Sequence, residues 1–214
     1  MAKVTDVHAG QPVLTAGKSL EQAKVAMILA HGRGSSPRDI LTLAGELRRP
    51  EVAYLAPQAV GNSWWPARFM EPIATNEPWF SSALATVTRL LERVTAAGIP
   101  VEHTILLGFS QGACLALEFA ARNARRYGGV AGLSGGLFGP DGTPRDYPGS
   151  LAGTPVFLGC SDVDFHIPKE RVLESAEVLA ALGAQVETTL YPNMDHIINE
   201  DELARVQELI AGIL

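Results

Sequence analysis

Two kinds of segment alternate along the chain. Runs at 24–31, 52–56, 102–109, 130–134, 155–159 and 185–191 are apolar and rich in β-branched residues, several of them almost unbroken. Such runs are expected of strands covered on both faces in a mostly parallel sheet. Between them, 37–48, 77–97, 111–126, 169–182 and 199–213 have helical length and periodicity. Gly98 and Gly183 follow two of these helices, where a left-handed residue commonly closes the last turn. Ahead of the first run, Gln11–Thr15 suits an edge strand, the one sheet position that tolerates a proline such as Pro12. Alternating strands and helices predict an α/β sandwich with right-handed crossovers and functional loops at the C-terminal strand ends. The glycine- and proline-rich stretch 135–153 is the longest irregular segment in the part of the chain beyond residue 112, and a loop of that length is expected to be functional or mobile.

The sharpest local signal is Gly108-Phe109-Ser110-Gln111-Gly112, preceded by Ile105-Leu106-Leu107 and followed by an Ala/Leu-rich helical stretch. A serine between a buried strand and a helix, with glycine two positions to either side, is the sequence of a nucleophile elbow. The turn lifts the serine hydroxyl above the sheet in a strained conformation, and side chains at the glycine positions would block it. The competing reading is a serine that merely caps a helix.

A serine hydroxyl is a weak nucleophile until a base and a group orienting that base are supplied. In α/β-hydrolases these follow the serine in the order acid, then histidine. Only His166 and His196 follow Ser110, and His196 occupies the loop between the last strand and the last helix, so it is the expected base. His166 shares a short segment with the candidate acids, and His8, His31 and His103 precede the serine and read as structural or surface residues. Asp162 and Asp164 both follow the strand at 155–159 and have the same parity, so spacing alone leaves them equivalent. Asp141 and Asp146 lie in turn-like surroundings, and Asp195 adjoins the histidine too closely to orient it. The main-chain N–H of Gln111, and that of Arg33 in the His31-Gly32-Arg33-Gly34 turn after the first apolar run, are the expected oxyanion donors.

Bulk properties narrow the class. The 214 residues suit one domain, taken as 1–214, with 47% hydrophobic and 19% charged residues. A net charge of −6 and only two isolated arginine pairs argue against a nucleic-acid partner. No stretch has the length of a membrane span, and Met1–His8 carries an early acid without an apolar segment, so a cytoplasmic location is expected. Cys114 and Cys160 have no metal-ligand spacing and are expected to be reduced thiols.

Taken together, the elbow, the 31–34 turn, the 164–168 segment and the terminal histidine loop resemble the phospholipase/carboxylesterase family of α/β-hydrolases. That family includes acyl-protein thioesterases and small bacterial carboxylesterases, and the likeness runs from about Pro12 to the last helix. The resemblance implies an α/β-hydrolase fold, a central sheet of about seven strands flanked by helices on both faces. It also implies Ser110 as nucleophile, His196 as base and Arg33 with Gln111 as oxyanion donors. In the family the catalytic aspartate precedes a proline by four positions, which selects Asp164 ahead of Pro168, although Phe165 replaces the usual proline and Asp162 is additional. From the cluster Trp64, Trp65, Phe69 and Trp79, and from the loop beyond 135, it suggests Trp65 and Phe138 as walls of the substrate pocket. The expected activity is a cofactor-independent serine carboxylesterase acting on short- to medium-chain esters, with thioesters as a further substrate type, metal-free and with a homodimer left open. The alternatives are a lactonase similar to dienelactone hydrolase, whose elbow would carry cysteine, and a non-catalytic small-ligand binder.

Overall fold

Side-chain alternation along the strands divides the core into two layers, one on each face of a seven-stranded sheet. The computed structural model describes residues 6–214. Met1–Thr5, part of the segment read above against a secretory signal, lie outside the described residues. The strands are β1 Val13–Gly17, β2 Val25–Ala30, β3 Val52–Pro57, β4 Thr104–Phe109, β5 Gly129–Leu133, β6 Pro155–Ser161 and β7 Gln185–Tyr191. Their order is β1-β3-β2-β4-β5-β6-β7. Only β1 is antiparallel to its neighbour.

Along β2 the consequence is visible residue by residue. Ala26, Ile28 and Ala30 face one core layer, Val25, Met27 and Leu29 the other, and all six are buried. The first layer is closed by α3 Trp79–Ala96, α4 Gln111–Arg122 and α5 Lys169–Ala181. The second is closed by the short helices α1 Pro37–Ile40 and α2 Thr42–Leu47 with α6 Glu200–Ala211. A strand buried on both faces has no polar side to show, which is why these runs are unbroken in sequence.

The sheet order reverses between β2 and β4: the chain leaves β2 towards β3 and returns to β4 on the other side. Such a switch opens a crevice at the C-terminal strand ends. The turn after β2 and the serine after β4 both stand there.

Three expected boundaries shift. The helix expected over 37–48 starts under the Ser36 cap, which accepts from the Asp39 N–H, and divides at Leu41, where the Thr42 hydroxyl donates to the Asp39 carbonyl. The helix expected to reach 126 ends at Arg122, where the Asn123 side chain donates to the Phe119 carbonyl. Glu102 and His103 form a 3-10 turn ahead of β4. Gly98 and Gly183 do adopt left-handed φ values, 94° and 87°. The segment 135–153 is irregular as expected, yet it is pinned. Buried Arg171 donates to the carbonyls of Leu137 and Gly139, and buried Glu118 accepts from the Phe138 N–H. Among the described residues no helix is long and apolar enough to cross a membrane.

One buried carboxyl opposes the rest of this packing. Glu202, in the first turn of α6, accepts from the Asn199 N–H in a capping box while its second oxygen is buried without a partner. Burial pushes its pKa up to about 7. A carboxyl that binds its proton more tightly when folded makes stability fall as pH rises from its unfolded value, near 4.5, to about 7. Glu202→Gln keeps the capping geometry and removes the charge. It is expected to raise stability at pH 8 by roughly 2–3 kcal/mol, about 5–10 °C in Tm, with little change at pH 4.5. Thermal unfolding of both proteins across this pH range checks it, and an unchanged Tm at pH 8 would contradict it.

Candidate active site

Ser110 sits between β4 and α4 with φ 55° and ψ −118°, a conformation that a residue with a side chain adopts only under restraint. The restraint is close packing at the flanking glycines. A Cβ on Gly108 would come within 2.0 Å of the Gly112 carbonyl oxygen, and one on Gly112 within 2.0 Å of the Ala30 oxygen at the end of β2. Neither approach is possible with a side chain present. The Ser110 N–H donates to Leu133 O at 2.9 Å, fastening the turn to β5.

A histidine 86 positions beyond the serine, and an aspartate 32 positions before that histidine, meet here. His196 Nε2 lies 2.8 Å from Ser110 Oγ, and His196 Nδ1 lies 2.6 Å from Asp164 Oδ2. A carboxylate only accepts, so Nδ1 carries the proton and Nε2 is left to accept from the serine hydroxyl. Burial raises the Asp164 carboxyl. The hydrogen bond from His196 and main-chain donation from His166 and Ile167 to the other oxygen more than offset this, leaving Asp164 below its ordinary value. Asp164 therefore stays ionised and holds the imidazole in one orientation.

Asp162, the alternative acid, performs a different task. Its Oδ1 accepts from the Asn193 N–H at 2.8 Å and its own N–H donates to Tyr191 O, so it anchors the loop that carries His196. His166 is exposed at the cleft rim, its ring 4.9 Å from that of His196, and it bonds to neither Ser110 nor an acid through its side chain. Burial pushes both thiols, Cys114 and Cys160, up to about 12, so neither is ionised near neutral pH.

Gln111 and Arg33 line the same cleft as Ser110, and their main-chain N–H groups have no protein acceptor among the described residues. Their side chains work on the aromatic loop. The Gln111 amide accepts from the Trp64 N–H and donates to Trp65 O, while the Arg33 guanidinium donates to the carbonyls of Pro66 and Ala67. Two histidines that the sequence left as structural or surface residues are buried supports of this loop. Ala59 N–H donates to His31 Nε2, which places the proton on Nδ1 and directs it to Gly32 O at 2.7 Å. His8 likewise accepts from the Val60 N–H through Nδ1 and donates to Trp64 O through Nε2. Burial lowers both histidine pKa values, consistent with neutral rings locked in single tautomers. What could have pointed to them is their position: His31 opens the glycine turn directly after a buried strand.

The cleft has a volume of about 460 Å³, and its apolar wall includes Trp65, Phe69, Cys114 and Ile167. Phe138 is placed differently from the expectation. It is fully buried behind Trp65, stacked on Phe80 with ring centroids 3.9 Å apart, and is not among the lining residues. The loop from 135 turns inward because Glu118 and Arg145 bind the Phe138 main chain from below. A wider groove of about 770 Å³ opens at the N-terminal ends of β6 and β7, far along the strands from Ser110.

The two aspartates can be separated by experiment. Asp164→Asn removes the charge and inverts the hydrogen-bond preference at Nδ1, so hydrolytic activity is expected to fall by about 10³–10⁴. Asp162→Asn retains an oxygen to accept from Asn193, and a loss of about tenfold or less is expected. Esterase kinetics on the two variants check this, and the reverse ranking would refute it.

Comparison with known proteins supplies the lineage. A family model described as phospholipase/carboxylesterase matches residues 13–214. The crystal structure of a phospholipase/carboxylesterase from Dyadobacter fermentans is 41% identical, covers 94% of this chain and 97% of its own, and superposes with a TM-score of 0.91. Acyl-protein thioesterase 1 of Candida albicans is 28% identical over 90% of this chain and 93% of its own length. Acyl-protein thioesterase 1 of Gibberella zeae is 32% identical, over 56% of this chain and about half, 52%, of its own length. With its seven-stranded sheet and flanking helices, the chain is an α/β-hydrolase that belongs to the phospholipase/carboxylesterase family.

Proposed function

We propose that this protein, acting as one hydrolase domain, is a serine carboxylesterase that cleaves short- to medium-chain esters or thioesters through an acyl-enzyme. The observation that carries the reading is the unbroken hydrogen-bond chain from Ser110 Oγ through His196 to Asp164 at the floor of an apolar cleft. Ser110 Oγ attacks the carbonyl carbon while His196 Nε2 takes the hydroxyl proton. The main-chain N–H groups of Arg33 and Gln111 receive the oxyanion of the tetrahedral adduct. The adduct collapses, the bond to the leaving oxygen or sulfur breaks, and His196 returns the proton to it. Water then attacks the acyl-Ser110 ester, gives its proton to His196 and releases the acid with Ser110 restored.

Two features favour acyl transfer over simple ligand binding. The strain at Ser110 serves nothing in the fold that an ordinary turn would not serve, and strain of this kind is retained where a hydroxyl has to be presented. The cleft volume suits a small ester, and its wall of Trp65, Phe69 and Ile167 excludes water from the reacting carbonyl. A lactone could enter the same cleft, but the elbow carries serine and both cysteines are buried, neutral thiols.

Ser110→Ala is expected to lower turnover of p-nitrophenyl acetate by about 10⁴-fold or more with an unchanged circular dichroism spectrum. The variant should also lose labelling by a fluorophosphonate probe. Retained turnover in the folded variant would overturn the reading.

A further inference from the structure

The charge around the cleft runs opposite to that of the chain. The whole protein carries a net −6, yet the charged residues facing the space beside Ser110 are Arg33 and Arg68, with no carboxylate among them. Asp164 lies behind His196, and Asp39, on the nearby helix α1, is held by the hydroxyls of Ser35 and Ser36. A concave surface with one sign of charge concentrates ligands of the other sign.

The two guanidinium groups differ in what they have left to offer. Both terminal nitrogens of Arg33 are engaged by neutral carbonyls, those of Pro66 and Ala67. Desolvation against that loop pulls Arg33 below its ordinary value, with no anion beside it to restore the balance. Arg68 has the opposite arrangement. Its main chain is built in, its carbonyl accepting from the Asn76 side chain and from the Glu71 N–H, and the adjoining Phe69 is buried. Its guanidinium is exposed at the cleft, and among the described residues it makes neither a hydrogen bond nor an ion pair. Inner arginines away from the cleft are matched instead, Arg171 with Asp141 and Arg145 with Glu174.

We propose that the ester taken by this cleft carries a carboxylate, and that Arg68 receives it as a two-pronged hydrogen-bonded pair while Arg33, engaged by the loop carbonyls, adds charge to the same cleft. The inference rests on the esterase reading above. A guanidinium fork matches a carboxylate edge, and one free fork matches a single negative charge. A phosphate dianion would call for a second free fork, which the engagement of Arg33 denies it.

Two matched pairs of esters test the proposal. In 3-(butyryloxy)propanoate and its methyl ester the charge lies on the alcohol half, and in monomethyl and dimethyl glutarate it lies on the acyl half. The phosphate counterpart is 2-(butyryloxy)ethyl phosphate. Acid release is followed in a pH-stat at pH 7.5 in 20 mM and 500 mM NaCl. In one pair or both, the carboxylate ester is expected to exceed its methyl ester in kcat/KM by about tenfold in 20 mM salt. That ratio should shrink in 500 mM salt. In Arg68→Gln it should collapse towards one, mainly through KM, whereas in Arg93→Gln, altered at an exposed arginine outside the cleft, it should persist. Preference for the methyl ester in both pairs, a preference that survives Arg68→Gln, or faster cleavage of the phosphate than of either carboxylate would overturn the proposal. Normal cleavage of neutral esters without any preference defeats the carboxylate subsite alone. If no ester is cleaved and the fluorophosphonate probe fails to label Ser110, the esterase reading falls with it.

Discussion

The site depends on how closely two main chains approach one another where β4 turns into α4. Gly112 lies against the Ala30 carbonyl at the end of β2, at a distance that no side chain permits, and Gly108 lies as tightly against Gly112. This packing fixes the direction of α4 and holds Ser110 at φ 55°. It also brings the turn that follows Ala30, with Arg33 in it, to the same rim as the serine. The strain at one residue is thus carried by the central strands, whose side chains are buried on both faces and have no room to relax.

Around that fixed point the loops are joined by a few polar side chains at both ends. Gln111 ties the elbow to Trp64 and Trp65, Arg33 ties the 31–34 turn to Pro66 and Ala67, and neutral His8 and His31 hold the same loop from the interior. Gln111, His8 and His31 are buried and have their partners, and exposed Arg33 is engaged at both terminal nitrogens, so the arrangement stiffens the cleft; the buried Trp65 indole N–H is the polar group of this loop left without a partner. The aromatic wall is therefore prearranged by the same residues whose main-chain N–H groups remain open. Side chain and main chain of Arg33 and Gln111 divide the labour.

The layout of the fold was legible in the sequence wherever burial is symmetric. Six runs became β2 to β7, and the proline-tolerant edge at 11–15 overlaps β1; β2 to β6, between two helical layers, are nearly all apolar, whereas the edge strand β7 carries Gln185, Glu187, Thr188 and Thr189. Helix ends were less legible, because local hydrogen bonds from Thr42 and Asn123 decide them and periodicity does not register such bonds. The pairing of Ser110 with His196 followed from chain order and strand ends. Spacing left Asp162 and Asp164 equivalent, the family resemblance favoured Asp164 through its distance from Pro168, and the fold places Asp164 against the ring and Asp162 against a loop. Phe138 illustrates a further limit. Its composition and position suit a pocket wall, but the buried Glu118 that draws its main chain inward lies twenty residues earlier, in a helix that reads as ordinary core.

The Asp162 contact with Asn193 has a mechanical meaning. The acid and the imidazole belong to two loops, after β6 and after β7, and this bond together with the Asp162 N–H to Tyr191 O welds those loops into a single body. Carboxylate and ring are thereby held relative to one another by bonds outside their own contact. The contact between ring and hydroxyl bridges these joined loops and the elbow. In the proposed reaction the proton crosses that one contact between two separately anchored parts.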